Sequence, residues 1–209
     1  MELSERLLWL NALHAELHTV VRRGKEFDLA AETWMDTHRS IESAAPHDGL
    51  LKFLDPHFEA QAKLWDSVSG LLFAWARASM ILFPNGGDEE RGAVLRARLE
   101  VDETSFLRDR ELRNDWVHFD ERLDTAIAKD PASIAWEFVP RFSDESRAAL
   151  QISVAERRLY FRTGRSERPD LGAMVEEAQS LRQRVLEKSR RIHEWHSDPV
   201  RFATEAPPE

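Results

Sequence analysis

The run "LLFAWARASMILF", Leu71 to Phe83, is the longest apolar stretch in the chain and is interrupted only by Arg77. A membrane-crossing helix needs about 20 apolar residues, so this run is too short to span a bilayer. A helix that is apolar on nearly every side is normally touched by several others and sits at the centre of a fold. The pattern predicts a helix from about Pro56 to Phe83, with Leu64, Val68, Leu71, Leu72, Trp75 and Ser79 on one side.

Outward from that centre the texture is mostly helical. Leu3, Leu7, Leu10, Leu13 (or His14), Leu17 and Val21 recur at three and four residues, predicting a first helix from about Leu3 to Arg23 that Gly24 ends. A second helical stretch runs from about Asp28 to Ala44, bounded by "APHDG". After the central helix, "PNGGDEERG" reads as a loop. The next helix is predicted from about Asp102, offered as its cap, to Ala128, ended by "KDP".

Between about 132 and 168 the period changes. Ile152 and Val154, then Leu159 and Phe161, alternate with polar residues around "AER", which predicts a β-hairpin between Leu150 and Thr163. Ile134–Val139 is a further strand candidate. Helix then returns through Pro169, with Leu171, Val175, Ala178, Leu181, Val185 and Ile192 as its apolar stripe, and residues 197–209 read as a loose tail. The expectation is a single mainly α domain, residues 1–209. It is a bundle of four to five long helices with a small hairpin inserted before the last.

Composition narrows the function. The chain has 209 residues, a formal net charge of −9 and no cysteine. Such a field does not gather polyanions broadly, although it permits a local basic site. Without cysteine there are no disulfides, thiol nucleophiles or thiolate-bound zinc, which fits a reducing cytosol. "MELSERLLWLNALHAEL" has acids where a secretion signal carries bases, so the reading is a cytoplasmic protein with no membrane association.

The chemistry-bearing stretch is "ELRNDWVHFDERLD", Glu111 to Asp124. At about 100° per residue, Leu112, Trp116, Phe119, Leu123 and Ile127 share one stripe, assigned to the core. Opposite them Arg110, Asn114, His118 and Glu121 line up, with Arg113 between the two faces. A histidine can move a proton near neutral pH, and a guanidinium presents a planar fork to phosphate oxygens. Asparagine can orient ribose or phosphate. On RNA, the 2′-hydroxyl supplies the nucleophile, so this set acts on a phosphodiester without a metal and leaves a cyclic phosphate. The same residues, among Asp115, Asp120 and Asp124, also compose an ordinary salt-bridged helix face.

"RNDWVH", Arg113 to His118, resembles the signature of the HEPN superfamily: Arg, a polar residue, then His a few positions on, carried on a late helix after a long apolar one. The resemblance implies a helical bundle that forms homodimers, bringing two signature helices into one cleft. It also implies metal-independent RNA cleavage by Arg113 and His118 with Asn114 in support, and no cofactor. Members act as toxins, defence proteins or RNA-processing enzymes, some paired with an antitoxin or regulatory partner. Others are non-catalytic binding modules. Arg110, Glu121, Arg157 and Arg158 are the candidate binding residues beside that pair. Where many members carry tyrosine two residues after the histidine, this chain has Asp120.

Two further constellations have simpler explanations. His14 and His18 are one turn apart, as in a metal site, but no complete ligand set such as HExxH accompanies them. "HEWH", His193 to His196, follows "KSRR" as a basic helix end does. Arg157, Arg158, Arg162, Arg165 and Arg168, interleaved with Tyr160 and Phe161, read either as a nucleic-acid patch or as a charge-protected strand edge. No P-loop, nucleophile elbow or dinucleotide fingerprint is present.

Overall fold

The computed structural model describes residues 2–43, 51–86, 88–109, 114, 118, 121, 124–125, 127–128, 134–141, 148–161 and 170–197. It is mainly helical, with a three-stranded sheet placed before the last long helix. Helix α1 spans Leu3–Ser43, α2 Leu51–Leu82, α3 Glu89–Leu99 and α4 Leu171–Ser197, with a single 3-10 turn at Phe106–Arg108.

The α1–α2 pair is the spine. Leu13, Leu17, Val20, Phe27 and Trp34 of α1 are buried, as are Leu64, Val68, Leu71, Leu72 and Trp75 of α2. They join α3, the sheet and α4 in one hydrophobic cluster. The predicted centrality of Leu71–Phe83 is seen directly: every residue of that run is buried except Phe73, Arg77 and Met80.

Gly24 does not end the first helix, and α1 is one 41-residue element where two were predicted. The cause is tertiary. A Cβ on Gly24 would stand 2.5 Å from Val175 Cγ2 of α4, so glycine is needed for two helices to touch. Burial of both neighbours outweighs the cost of glycine in a helix, about 1 kcal/mol. Gly24→Ala is therefore expected to lower stability by about 1–3 kcal/mol despite its better helix propensity. Adding Val175→Ala should restore part of that loss. Urea unfolding of the two single variants and the double variant measures the coupling.

The central helix begins at Leu51, ahead of the Pro56 predicted as its start. Two more corrections follow it. The loop expected over "PNGGDEERG" gives way at Glu89 to α3, which ends at Glu100 with φ of +52° and so lacks a glycine stop. Asp102 does not open a long helix. Its carboxylate accepts from the Thr104 backbone N–H at 2.8 Å and from the Thr104 hydroxyl at 2.6 Å, capping a turn before the 3-10 segment.

The hairpin is present. Strand β2, Ala148–Ser153, pairs antiparallel with β3, Arg158–Phe161, setting Leu150 opposite Phe161 and Ile152 opposite Leu159. Arg157 makes the turn with φ of +53°. The third strand, β1 at Ile134–Val139, also forms, and it joins β2 in parallel. With neighbours on both edges, β2 buries Leu150 through Ser153 on both faces. Trp136 of β1 stacks on Trp65 of α2 at 4.6 Å between ring centroids, fixing the sheet to the spine. Ser197 closes α4, so only 198–209 of the predicted tail remain, and these lie outside the described residues.

Candidate functional site

Asn114, His118 and Glu121 are all exposed. The backbone N–H of His118 donates to the Asn114 carbonyl at 3.0 Å, one turn back, as the sequence spacing requires. Asn114 and Glu121 are helical, whereas His118 itself stands in a turn. Ile127, assigned to the core stripe, is instead 43% exposed. Arg110 and Arg113 lie outside the described residues, as do Leu112, Trp116, Phe119 and Leu123.

His118 has a partner. Its Nδ1 lies 3.3 Å from Glu121 Oε1, and the two side chains are 53% and 73% exposed. A proton on Nδ1 directed at the carboxylate leaves Nε2 as the basic nitrogen, turned to whatever solvent brings. Glu121, a candidate binding group from the sequence, is the acidic neighbour of the imidazole at that distance. The i, i+3 spacing was the available signal.

Arg157 and Arg158 lie on the sheet's hairpin, each with an acidic neighbour. Arg157 Nη2 is 3.1 Å from Asp28 Oδ1 of α1, and Arg158 Nε is 3.8 Å from Asp170 Oδ2. These pairs dock the hairpin onto α1 and the start of α4. A polar hollow of about 210 Å³ passed unnoticed in the sequence: Arg96 and Arg108 enter it beside Glu89 and Glu103. Arg96 also lies 4.8 Å above the Phe83 ring, a contact that no local spacing announces. A larger groove, about 810 Å³, runs between α1 and α2, lined in part by Arg23, Leu29, Ala30, Pro56 and Lys63. None of the described signature residues lines it.

His14 and His18 stack with ring centroids 6.3 Å apart, and Arg182 Nε of α4 donates to His14 Nε2 at 3.3 Å. That nitrogen is taken by a cation's donor, not presented to a metal. Among the described residues no three His, Asp or Glu side chains gather as a metal site. Burial, then Arg182 and His18, lower the His14 pKa below its ordinary 6.5. Burial, then His38, lower that of His57, whose Nδ1 lies 3.2 Å from the Thr37 hydroxyl. Both histidines favour the neutral form when folded. Above 6.5 neither state binds the proton, and stability is full. As pH falls below 6.5 the unfolded chain takes up protons that the folded chain refuses, so stability declines toward the folded values. Thermal melts from pH 8 to pH 5 are expected to show that decline, flattened in a His14→Gln, His57→Gln double variant.

Fold and site together define a mainly α protein with an inserted three-stranded sheet and an exposed Asn114–His118–Glu121 surface. No family model, curated protein or solved structure matches the chain. Among the described residues no helix is long and apolar enough to cross a membrane.

Proposed function

We propose that the chain is a HEPN-like endoribonuclease that cuts RNA without a metal, through Arg113 and His118 with Asn114 in support. The observation that carries this reading is the His118 imidazole, half exposed and oriented by Glu121 through Nδ1. Nε2 removes the proton of a ribose 2′-hydroxyl, and that oxygen attacks the adjacent phosphorus. The bond to the 5′-oxygen breaks, and this leaving oxygen takes up a proton from the imidazolium or water. The products are a 2′,3′-cyclic phosphate and a 5′-hydroxyl. The Arg113 guanidinium offsets charge gathering on the non-bridging oxygens. Arg110 sits one turn before Asn114 in sequence and adds positive charge for the backbone. Arg157 and Arg158, facing Asp28 and Asp170, are not used in this step. The role is that of a cytoplasmic toxin, defence factor or RNA-processing enzyme, held in check by an antitoxin or regulatory partner.

The test is incubation of the chain with a mixed RNA pool in EDTA, beside Arg113→Ala. Cleavage by the parent and its loss in the variant are expected. Equal cleavage by both, or none at any protein concentration, overturns the reading.

A second reading is favoured by the chain's acidic balance, by Asp120 two residues after the histidine in sequence, and by Glu121 exposed beside His118, all of which repel phosphate. In it the same surface is a non-catalytic docking or dimer face of a HEPN-like module. His118→Ala then changes partner capture or oligomeric state while RNA turnover stays at background.

A further inference from the structure

In a chain with this excess of acid, arginines on the long helices mostly find a carboxylate. Arg22, Arg23, Arg39, Arg77 and Arg91 each have one within 3.1 Å. Helix α4 departs from that habit. Arg184, Lys188 and Arg191 make no ion pair and no side-chain hydrogen bond among the described residues, and the Arg184 Nε is buried without a partner. The sequence offers a simple account of "KSRR" as a basic helix end. The structure does not support it, because α4 runs on to Ser197 and its last turn, from Glu194, holds no lysine or arginine. A helix dipole acts within that last turn and so gives these cations no role.

At 100° per residue the three fall within about 60° of arc, at steps of four and three, along about 10 Å of helix. They flank the stripe of Leu181, Val185 and Ile192 that is buried in the core. Arg184 and Lys188 are half-buried and Arg191 is exposed. That is the state of long side chains whose stems lie on the protein while their charges reach water. Arg190 turns to another side of the helix, with its Nε 3.6 Å from Glu194 Oε1. Two acids stand near the row. Asp102 is held below the ordinary carboxylate range by its bonds to Thr104 and only lastly by Arg184. Glu187 borders the row, exposed, and pairs with neither arginine among the described residues.

We infer that Arg184, Lys188 and Arg191 form a track for the phosphate backbone of a single-stranded RNA, a site apart from the residues proposed to cut it. A strand with a phosphate about every 3.4 Å sets about three of them along the row. Each contact replaces counterions that the strand otherwise holds, which is how a local basic row works in a chain of the same sign as its ligand. The row carries no asparagine or glutamine to read base edges, so the track is indifferent to sequence. It is argued from charge and stands whether or not His118 cuts; naming RNA as the strand rests on the ribonuclease reading.

Fluorescence anisotropy of a short labelled 2′-O-methyl oligouridine, which no 2′-oxygen can cut, tests the track in EDTA over a range of KCl. Each cation on a single strand adds about 0.7 to the fall of log K with log salt. The triple variant Arg184→Gln, Lys188→Gln, Arg191→Gln, native by circular dichroism, is expected to flatten the parent slope by about 2 and to weaken binding about tenfold or more at low salt. Lys25→Gln, a loss of one exposed charge on α1, should leave both nearly unchanged, and Glu187→Gln should tighten binding. A triple variant with the parent's affinity and slope overturns the proposal. So does Lys25→Gln weakening binding as much as Lys188→Gln, or a parent that binds phosphatidylserine vesicles and not the oligonucleotide. A parent that cuts RNA while the triple variant binds as well as it does sinks the track and spares the ribonuclease reading. One that binds through the track and cuts nothing does the reverse.

Discussion

His118→Ala is expected to slow metal-independent RNA cleavage by about two to four orders of magnitude while leaving the fold intact, the range that a positioned acid–base group contributes. The fold should survive because the side chain is 53% exposed and its contact with Glu121 is a surface one, of the kind worth at most about 1 kcal/mol. A large kinetic effect with a small structural one separates a catalytic histidine from a packing histidine. Glu121→Gln should have a smaller kinetic effect. It keeps the imidazole but weakens the bond that favours a proton on Nδ1, so Nε2 is the basic nitrogen less of the time. Initial rates on a labelled RNA in EDTA, with circular dichroism of each variant, measure both. An unchanged rate in His118→Ala removes the histidine from the chemistry.

Trp75→Ala is expected to cost about 3–5 kcal/mol, the largest loss from any single truncation in the α1–α2 spine. Trp75 is 2% exposed and lies in the middle of the apolar run, so nothing but the core can fill the space it leaves. A domain has only about 5–15 kcal/mol of stability in total, so the variant should unfold at far lower denaturant. Trp75→Phe should be much milder. Among the described residues the Trp75 indole N–H is buried without a hydrogen-bond partner, and phenylalanine removes that unmet donor along with part of the ring. Urea unfolding of the two variants gives the comparison. Similar losses in both would place Trp75 in a looser environment than its burial indicates.

Patterns that repeat over many residues were readable in the sequence. The apolar run from Leu71, the stripe of α4 and the alternation at Ile152 and Leu159 each state their own period, and each element formed. Single punctuation residues misled. Gly24 looks like a helix end, yet Val175, distant in sequence, is the reason glycine stands there. Asp102 looks like a cap and is one, but for a turn. Helix α3 ends on left-handed Glu100, and no local rule asks for that residue at such a position. The parallel pairing of β1 with β2 is a matter of chain path, which strand propensity does not encode. At the site, the i, i+4 spacing of Asn114 and His118 carried through to a hydrogen-bonded turn. Ile127, which the same phase assigns to the core, is exposed, because periodicity within one helix does not say what the rest of the chain packs against it.

The chemistry of the product ends tests the proposed ribonuclease activity most directly. The chain, in EDTA, is given an RNA it cuts and the same strand with one 2′-deoxynucleotide at the cut position. A 2′,3′-cyclic phosphate on the upstream fragment, and no cut at the deoxy position, is the result that attack by the 2′-oxygen requires. Fragments ending in a free 3′-hydroxyl, or equal cutting of the deoxy strand, would contradict it.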